Sequence, residues 1–185
     1  NDIPSIDFYI SLVSLPYIFI HEINVPPPYR FIKSNRKLNK YWELKLNKNK
    51  KIKIGILWQG ASYSQGKYYI KRNIPLKILQ PILELNEIEF VSLQKDSGRD
   101  QIKLNKFENL VIDFYGNIDQ KPFEDTLSII ACVDMVISVD TSIAHIAATM
   151  NKNTWIIIPH VPDFRWGLKG HKTIWYDNVK LYRQK

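Results

Sequence analysis

The stretch "MVISVDTSIAH", residues 135–145, decides how this chain folds. Met135 to Val139 is a short apolar run of the kind that forms a buried strand. Asp140, Thr141 and Ser142 interrupt it. After them Ile143, Ile146, Ala147 and Met150 recur at i, i+3, i+4 and i+7, the stripe of a helix that lies on a sheet. At 100° per residue, His145 falls roughly 160° from that stripe. Thr141 is four residues earlier, on the same side. Asp or Thr at such a start is ordinarily an N-cap. That accounts for one of the four polar residues and leaves His145 unexplained.

The same alternation extends in both directions. "KIKIGILWQG" predicts a strand ending at a glycine turn, and "IEFVSLQK" (88–95), "NLVIDFYG" (109–116) and "TWIIIPH" (154–160) predict three more. Between them, "IPLKILQPILEL" (74–85) predicts a helix with Pro75 at its first position and Leu76, Leu79 and Leu83 on one face. Pro81 must kink or split it. "PFEDTLSIIACV" (122–133) predicts a helix with its acids in the first turn, where the dipole favours them, and another follows over about 142–151. Apolar strands separated by helices give an α/β fold, a Rossmann-like open parallel sheet with helices on both faces.

Ahead of this lies a different texture. Residues 1–33 form a lead-in that ends in "NVPPPYRF", whose prolines fix an extended strap. Residues 34–48 predict a short polar helix carrying Leu38, Tyr41, Trp42 and Leu44. The expected division is therefore 1–33 and 34–185. The chain opens on Asn1, which reads as a piece of a longer protein.

Composition narrows the function. With 45% hydrophobic and 24% charged residues over 185 positions, the chain is ordinary globular material. Its net charge of +8 comes mostly from lysines scattered among Asn and Ile. No recognition helix, zinc spacing or aromatic–basic sheet motif accompanies them, so a specific nucleic-acid partner is not expected. Anionic ligands would still be attracted. The apolar segment 8–20 is too short and too broken to span a membrane, and acids precede it where a signal peptide has bases. The single cysteine, Cys132, suits a reducing compartment and a core position. A cytoplasmic location, or the inner face of a membrane, follows.

In open α/β sheets ligands bind beyond the carboxyl ends of the strands. Those ends offer Gln59 and Gly60, Gln94 and Lys95, Asp140 to His145, and His160 with Asp163. A helix N-terminus with hydroxyls at 141 and 142, an imidazole at 145 and a lysine at 95 makes a cradle for a diphosphate. It is a poor nucleophilic triad, because no G-x-S-x-G surrounds Ser142. Neither a P-loop nor a G-x-G-x-x-G follows the first strand. "GASYSQGK" (60–67) reads instead as a loop at the site mouth. The histidines are too dispersed for a metal site.

Taken together, "IGILWQG", "RNIPL", "FVSLQK", "FEDT", "IIACVDMVISVDTSIAHIAATMNK", "WIIIPHVPDFRWGL" and "WYDNVKLYRQ" resemble the C-terminal half of bacterial glycosyltransferases often fused to tetratricopeptide repeats. That family is heptosyltransferase-like and distantly similar to O-linked N-acetylglucosamine transferases. The resemblance runs from about Phe8 to Gln184. It implies the donor-binding half of a GT-B fold, in which two Rossmann-like domains face across a cleft, with the closing C-terminal helix absent here. It implies a nucleotide-diphosphate sugar as donor substrate, no separate cofactor, and metal-independent transfer to a glycan, lipid or protein acceptor.

On this resemblance Gln59, Gly60, Asp140, Thr141, Ser142 and His145 bind the donor. Lys95 and His145 stabilise the leaving group, while Asp125 and Thr126 face the nucleoside. Asp163, Arg165 and Trp166 shape the sugar site or lock a loop, with a structural role foremost for Trp166. The catalytic base is expected in the N-terminal domain of the same parent chain, so the piece should not transfer sugar unaided. A non-catalytic nucleotide-binding module is the alternative. Donor base, sugar, stereochemical outcome and oligomeric state are not legible.

Overall fold

The computed structural model describes residues 7–11, 31–46, 49–60, 72–95, 97–114 and 123–184. The proline strap at 26–28 and all but the start of the 60–67 loop lie outside them, as does most of the 1–33 lead-in.

Strands β1 (Ile52–Leu57), β2 (Ile88–Ser92), β3 (Val111–Ile112), β4 (Met135–Val139), β5 (Asn153–Ile158) and β6 (Val179–Arg183) form one sheet in the order β3-β2-β1-β4-β5-β6. Every neighbouring pair is parallel. β1 and β4 lie at the centre, in register from Ile54 opposite Met135 to Leu57 opposite Ser138. Central β1 is buried along its length after Ile52, as its unbroken apolar run requires. The α/β, Rossmann-like expectation is met, and this sheet order is the one that binds ligands across its middle.

Among the described residues five helices serve the sheet: α1 (Arg36–Leu46), α2 (Gln80–Leu83), α3 (Gln101–Leu104), α4 (Glu124–Cys132) and α5 (Ser142–Thr149). Pro81 does split its segment. A 3-10 turn, Leu76–Leu79, starts after Pro75 and gives way to α2, with Leu76, Leu79 and Leu83 all buried. Helix α1 buries Trp42 and Leu46 and packs Leu38 against the core, whereas Leu44 is 81% exposed. The Trp42 indole donates to Asp125 at 2.8 Å and meets Phe114 edge-on at 4.9 Å, which fastens α1 to α4.

Differences from expectation cluster where apolar signal is weak. β3 is described over Val111–Ile112, and the last two residues of the expected 109–116 strand lie outside the described residues. Helix α3 and strand β6 have no counterpart in the sequence reading. β6 alternates in burial, as β5 does, and the outward side chains Trp155, Tyr182 and Lys180 pack on one another. Trp155 is 38% exposed. Among the described residues, then, helices do not cover both faces at this end of the sheet.

The connection from β5 to β6 is irregular but firmly held. Asp163 accepts the Arg165 amide and caps a 3-10 turn, Phe164–Trp166, whose Trp166 is buried. Gly167 and Gly170, both at positive φ, turn the backbone so that one guanidinium reaches several carbonyls. Arg183 donates to the carbonyls of Trp166, Gly167, Lys169 and Gly170 at 2.8–3.1 Å. These carbonyls lie near solvent, so water offsets part of their loss. Arg183→Met should cost about 1–2 kcal/mol. It should also speed amide exchange selectively over 166–171, and uniform protection there in the variant would refute the pinning.

Candidate functional site

The strand order reverses between β1 and β4. Chain leaving β1 goes to one side of the sheet and chain leaving β4 to the other, which opens a crevice beyond their carboxyl ends. Residues 58–60 and 140–142 border it.

On the β4 side, Thr141 occupies the N-cap position of α5 with extended backbone, yet makes no side-chain cap. The Ser138 hydroxyl donates to the Val139 carbonyl at 2.7 Å, so the 3.2 Å contact between Ser138 and Thr141 must use the Thr141 proton. The Thr141 carbonyl accepts from Ala144 and His145. Among the described residues, nothing accepts from the amides of Ser142 and Ile143. The capping role expected of Asp140 or Thr141 is therefore not filled by either side chain. What remains is an open helix start at the switch point, where N–H groups and the helix dipole favour an anion.

The β1 side supplies a cation that the sequence reading did not include. Arg72, on the segment that returns to the 3-10 turn before α2, donates through Nη1 to the carbonyl of Asp140 at 3.0 Å. Its guanidinium lies across Gly60, where a Cβ would come within 2.8–3.1 Å of Nη2, Nε and Cζ. Gly60 thus makes room for Arg72. Its own N–H donates to Asn73 Oδ1 at 2.9 Å. The signal for Arg72 was its place in "KRNIPL", just before a proline-started turn. A lone arginine after a long loop carries no periodicity to mark it.

Gln59 is likewise occupied with structure. Its side-chain oxygen accepts from Gln101 and packs on Gly98. Gln94, buried at the end of β2, accepts from the amides of Trp58 and Gln59 and donates to the carbonyls of Gln59 and Ser97. Together they weld the ends of β1 and β2 and fix the floor of the crevice.

Lys95 sits with its ammonium 5.6 Å from the centre of the Phe123 ring, at the start of α4. The structure brings Arg72 to the start of α5 and places Lys95 by α4. Asp125 and Thr126 were expected to face a nucleoside. Asp125, half-buried, accepts the Trp42 indole, and Thr126 is 2% exposed. Asp163 and Arg165 pair at 3.3 Å within the β5–β6 connection.

His145 is neither in the core stripe nor free. Its ring stacks on Trp166 at 5.2 Å and 18°, its Nδ1 lies 3.0 Å from the Tyr176 hydroxyl, and its Nε2 faces Asp140 Oδ1 at 3.9 Å. Burial, only partly opposed by Asp140, holds its pKa below the ordinary histidine value, and the charge of Arg165 acts in the same direction. His145 is therefore a neutral imidazole at pH 7. Helix α5 is buried on both flanks: Ile143 and Ala147 join the main core, while Ala144 and Ala148 meet Ile156, Leu181 and Trp166. The aromatic lid over His145 could not be read from a single helix's periodicity. Burial, together with the charge of Glu43, pushes the Cys132 thiol up to about 11, which leaves it protonated and inert as a nucleophile.

No helix among the described residues is long and apolar enough to cross a membrane. The chain matches no protein-family model and no curated protein sequence. By fold it is similar to the solved structure of ADP-heptose LPS heptosyltransferase II from E. coli, with a TM-score of 0.59 and 12% identity. The match covers 83% of this chain and 45% of that one. The sheet and its helices thus match one half of a GT-B fold, and the chain spans under half the length of that structure.

Proposed function

We propose that this chain is the donor-binding half of a GT-B glycosyltransferase, taking a nucleotide-diphosphate sugar. The observation that carries the reading is the open start of α5 beside Arg72, at the switch point of the sheet. A diphosphate there meets the amides of Ser142 and Ile143, the Ser142 hydroxyl and a guanidinium. Asp140, being acidic, suits sugar or ribose hydroxyls rather than phosphate. The likeness of fold to a heptosyltransferase supports the class of donor.

In the reaction the bond from the sugar's anomeric carbon to the diphosphate oxygen breaks, and a bond to the acceptor oxygen forms. Negative charge builds on the departing diphosphate, so fixed donors aimed at it lower the barrier. Lys95 adds positive charge at the crevice edge. The acceptor's proton requires a base, which this reading places in the other half of the fold, and no metal is required.

A thermal-shift screen against uridine, guanosine, adenosine and cytidine diphosphates tests this. A nucleotide at one hundred times its dissociation constant should stabilise the chain by about 2.7 kcal/mol, or roughly 5–10 °C. Stabilisation by one nucleotide, absent with its nucleoside, is the expected result. If none of the four moves the midpoint, the proposal fails for this chain.

A further inference from the structure

The contacts around His145 have a direction. Nδ1 has one partner, the Tyr176 hydroxyl at 3.0 Å, and Nε2 has one neighbour of consequence, the Asp140 carboxylate at 3.9 Å. A neutral imidazole carries its proton on one nitrogen only. If the proton were on Nδ1, the Nε2 lone pair would point at a carboxylate, which is repulsive. With the proton on Nε2, an N–H faces that carboxylate and Nδ1 accepts from the phenol. The phenol is equipped for this: burial raises its pKa, so it keeps the proton it donates. Donation therefore runs from Tyr176 to His145. The Trp166 stack fixes the plane of the ring.

We propose that Tyr176 is a positioning residue that sets His145 as the Nε2–H tautomer and aims that N–H along Asp140 toward the open start of α5. What the N–H meets there, an oxygen of the donor or its leaving diphosphate, rests on the function proposed above; the tautomer does not. Tyr176 comes from the β5–β6 connection, 31 residues away in sequence, so the arrangement ties the donor site to the loop that Arg183 pins.

The groups that act on His145 are Asp140 on its own segment, Asp163 and Arg165 from the capped 3-10 turn, and Tyr176 opposite. Nitrogen-15 NMR of the imidazole at pH 7 reads the tautomer directly, in the chain without any ligand. A protonated Nε2 with a bare, hydrogen-bonded Nδ1 is expected. In Tyr176→Phe the ring remains to pack but the donor is gone, which leaves only the more distant Asp140 to favour Nε2–H, so the Nδ1–H tautomer should gain population and the His145 pKa should rise toward its ordinary value. If a nucleoside diphosphate binds the wild type, its affinity should fall about fivefold in Tyr176→Phe, with the midpoint of unfolding nearly unchanged. A proton on Nδ1 in the wild type, a charged His145 at pH 7, or a tautomer and titration unchanged in Tyr176→Phe would each overturn the proposal. Failure of every nucleotide to bind would instead remove the transferase reading and leave the tautomer assignment standing.

Discussion

Replacing Arg72 with alanine should weaken nucleoside diphosphate binding by about 10–100-fold while leaving the chain folded. The size follows from the chemistry. Hydrogen bonds to charged groups contribute about 1.5–3 kcal/mol each, and every 1.4 kcal/mol is a factor of ten in affinity. Arg72 holds the carbonyl of Asp140, the residue before the α5 cap, so its removal takes away both a cation and a brace on the helix start. Arg72→Lys keeps the charge but not the planar fork that lies across Gly60, and should recover only part of the loss. Titration calorimetry with a nucleoside diphosphate and its monophosphate separates these contributions, since a guanidinium placed for a diphosphate discriminates between them. Affinity unchanged within twofold in Arg72→Ala would mean that the guanidinium serves the fold and not the diphosphate.

The largest effect on stability is expected at Trp42. Its side chain is fully buried between α1, α4 and Phe114, and its indole N–H satisfies Asp125. Trp42→Ala should cost about 3–5 kcal/mol, the usual range for emptying a buried aromatic site. Since whole domains are stable by about 5–15 kcal/mol, that variant should sit near its unfolding threshold. Trp42→Phe retains most of the packing and should cost about 1–2 kcal/mol, chiefly through loss of the indole hydrogen bond to Asp125. Denaturant titrations of both variants decide the point. A loss under about 1 kcal/mol in Trp42→Ala would show that α1 is an accessory rather than part of the domain's core.

How much was legible depended on whether the information was local. β1, β2 and β4 announced themselves because a strand buried in a parallel sheet must be apolar at nearly every position, and β5 because its run from Trp155 to Ile158 is apolar even where it faces outward. The break at Pro81 was equally local, since the ring forbids the hydrogen bond wherever it sits. β6 was missed because "VKLYR" is only half buried: Lys180 and Tyr182 face outward, and the pattern resembles any amphipathic loop. α3 was missed because its single turn has too few residues to show a period.

The site divides in the same way. The polar cluster after β4 was conspicuous because four chemistry-bearing residues interrupt an apolar run, and strand-end position alone marked it. Sequence could not say which side chains face the crevice. Asp125 and Gln59 were drawn inward by partners 83 and 42 positions distant, and Arg72 was drawn to the site from beyond a loop.

Hydrophobic periodicity by itself determined the α/β class, the parallel sheet and the strand-end edge where the candidate site lies, because burial acts on each residue through its own neighbours in sequence. Only the tertiary structure decided that Thr141 turns to Ser138 and leaves α5 uncapped, that Arg72 lies over Gly60, and that His145 is held between Trp166 and Tyr176. Those outcomes depend on which polar group reaches which partner first when distant segments converge. Hydrogen bonds are short and directional, and no one-dimensional pattern records them.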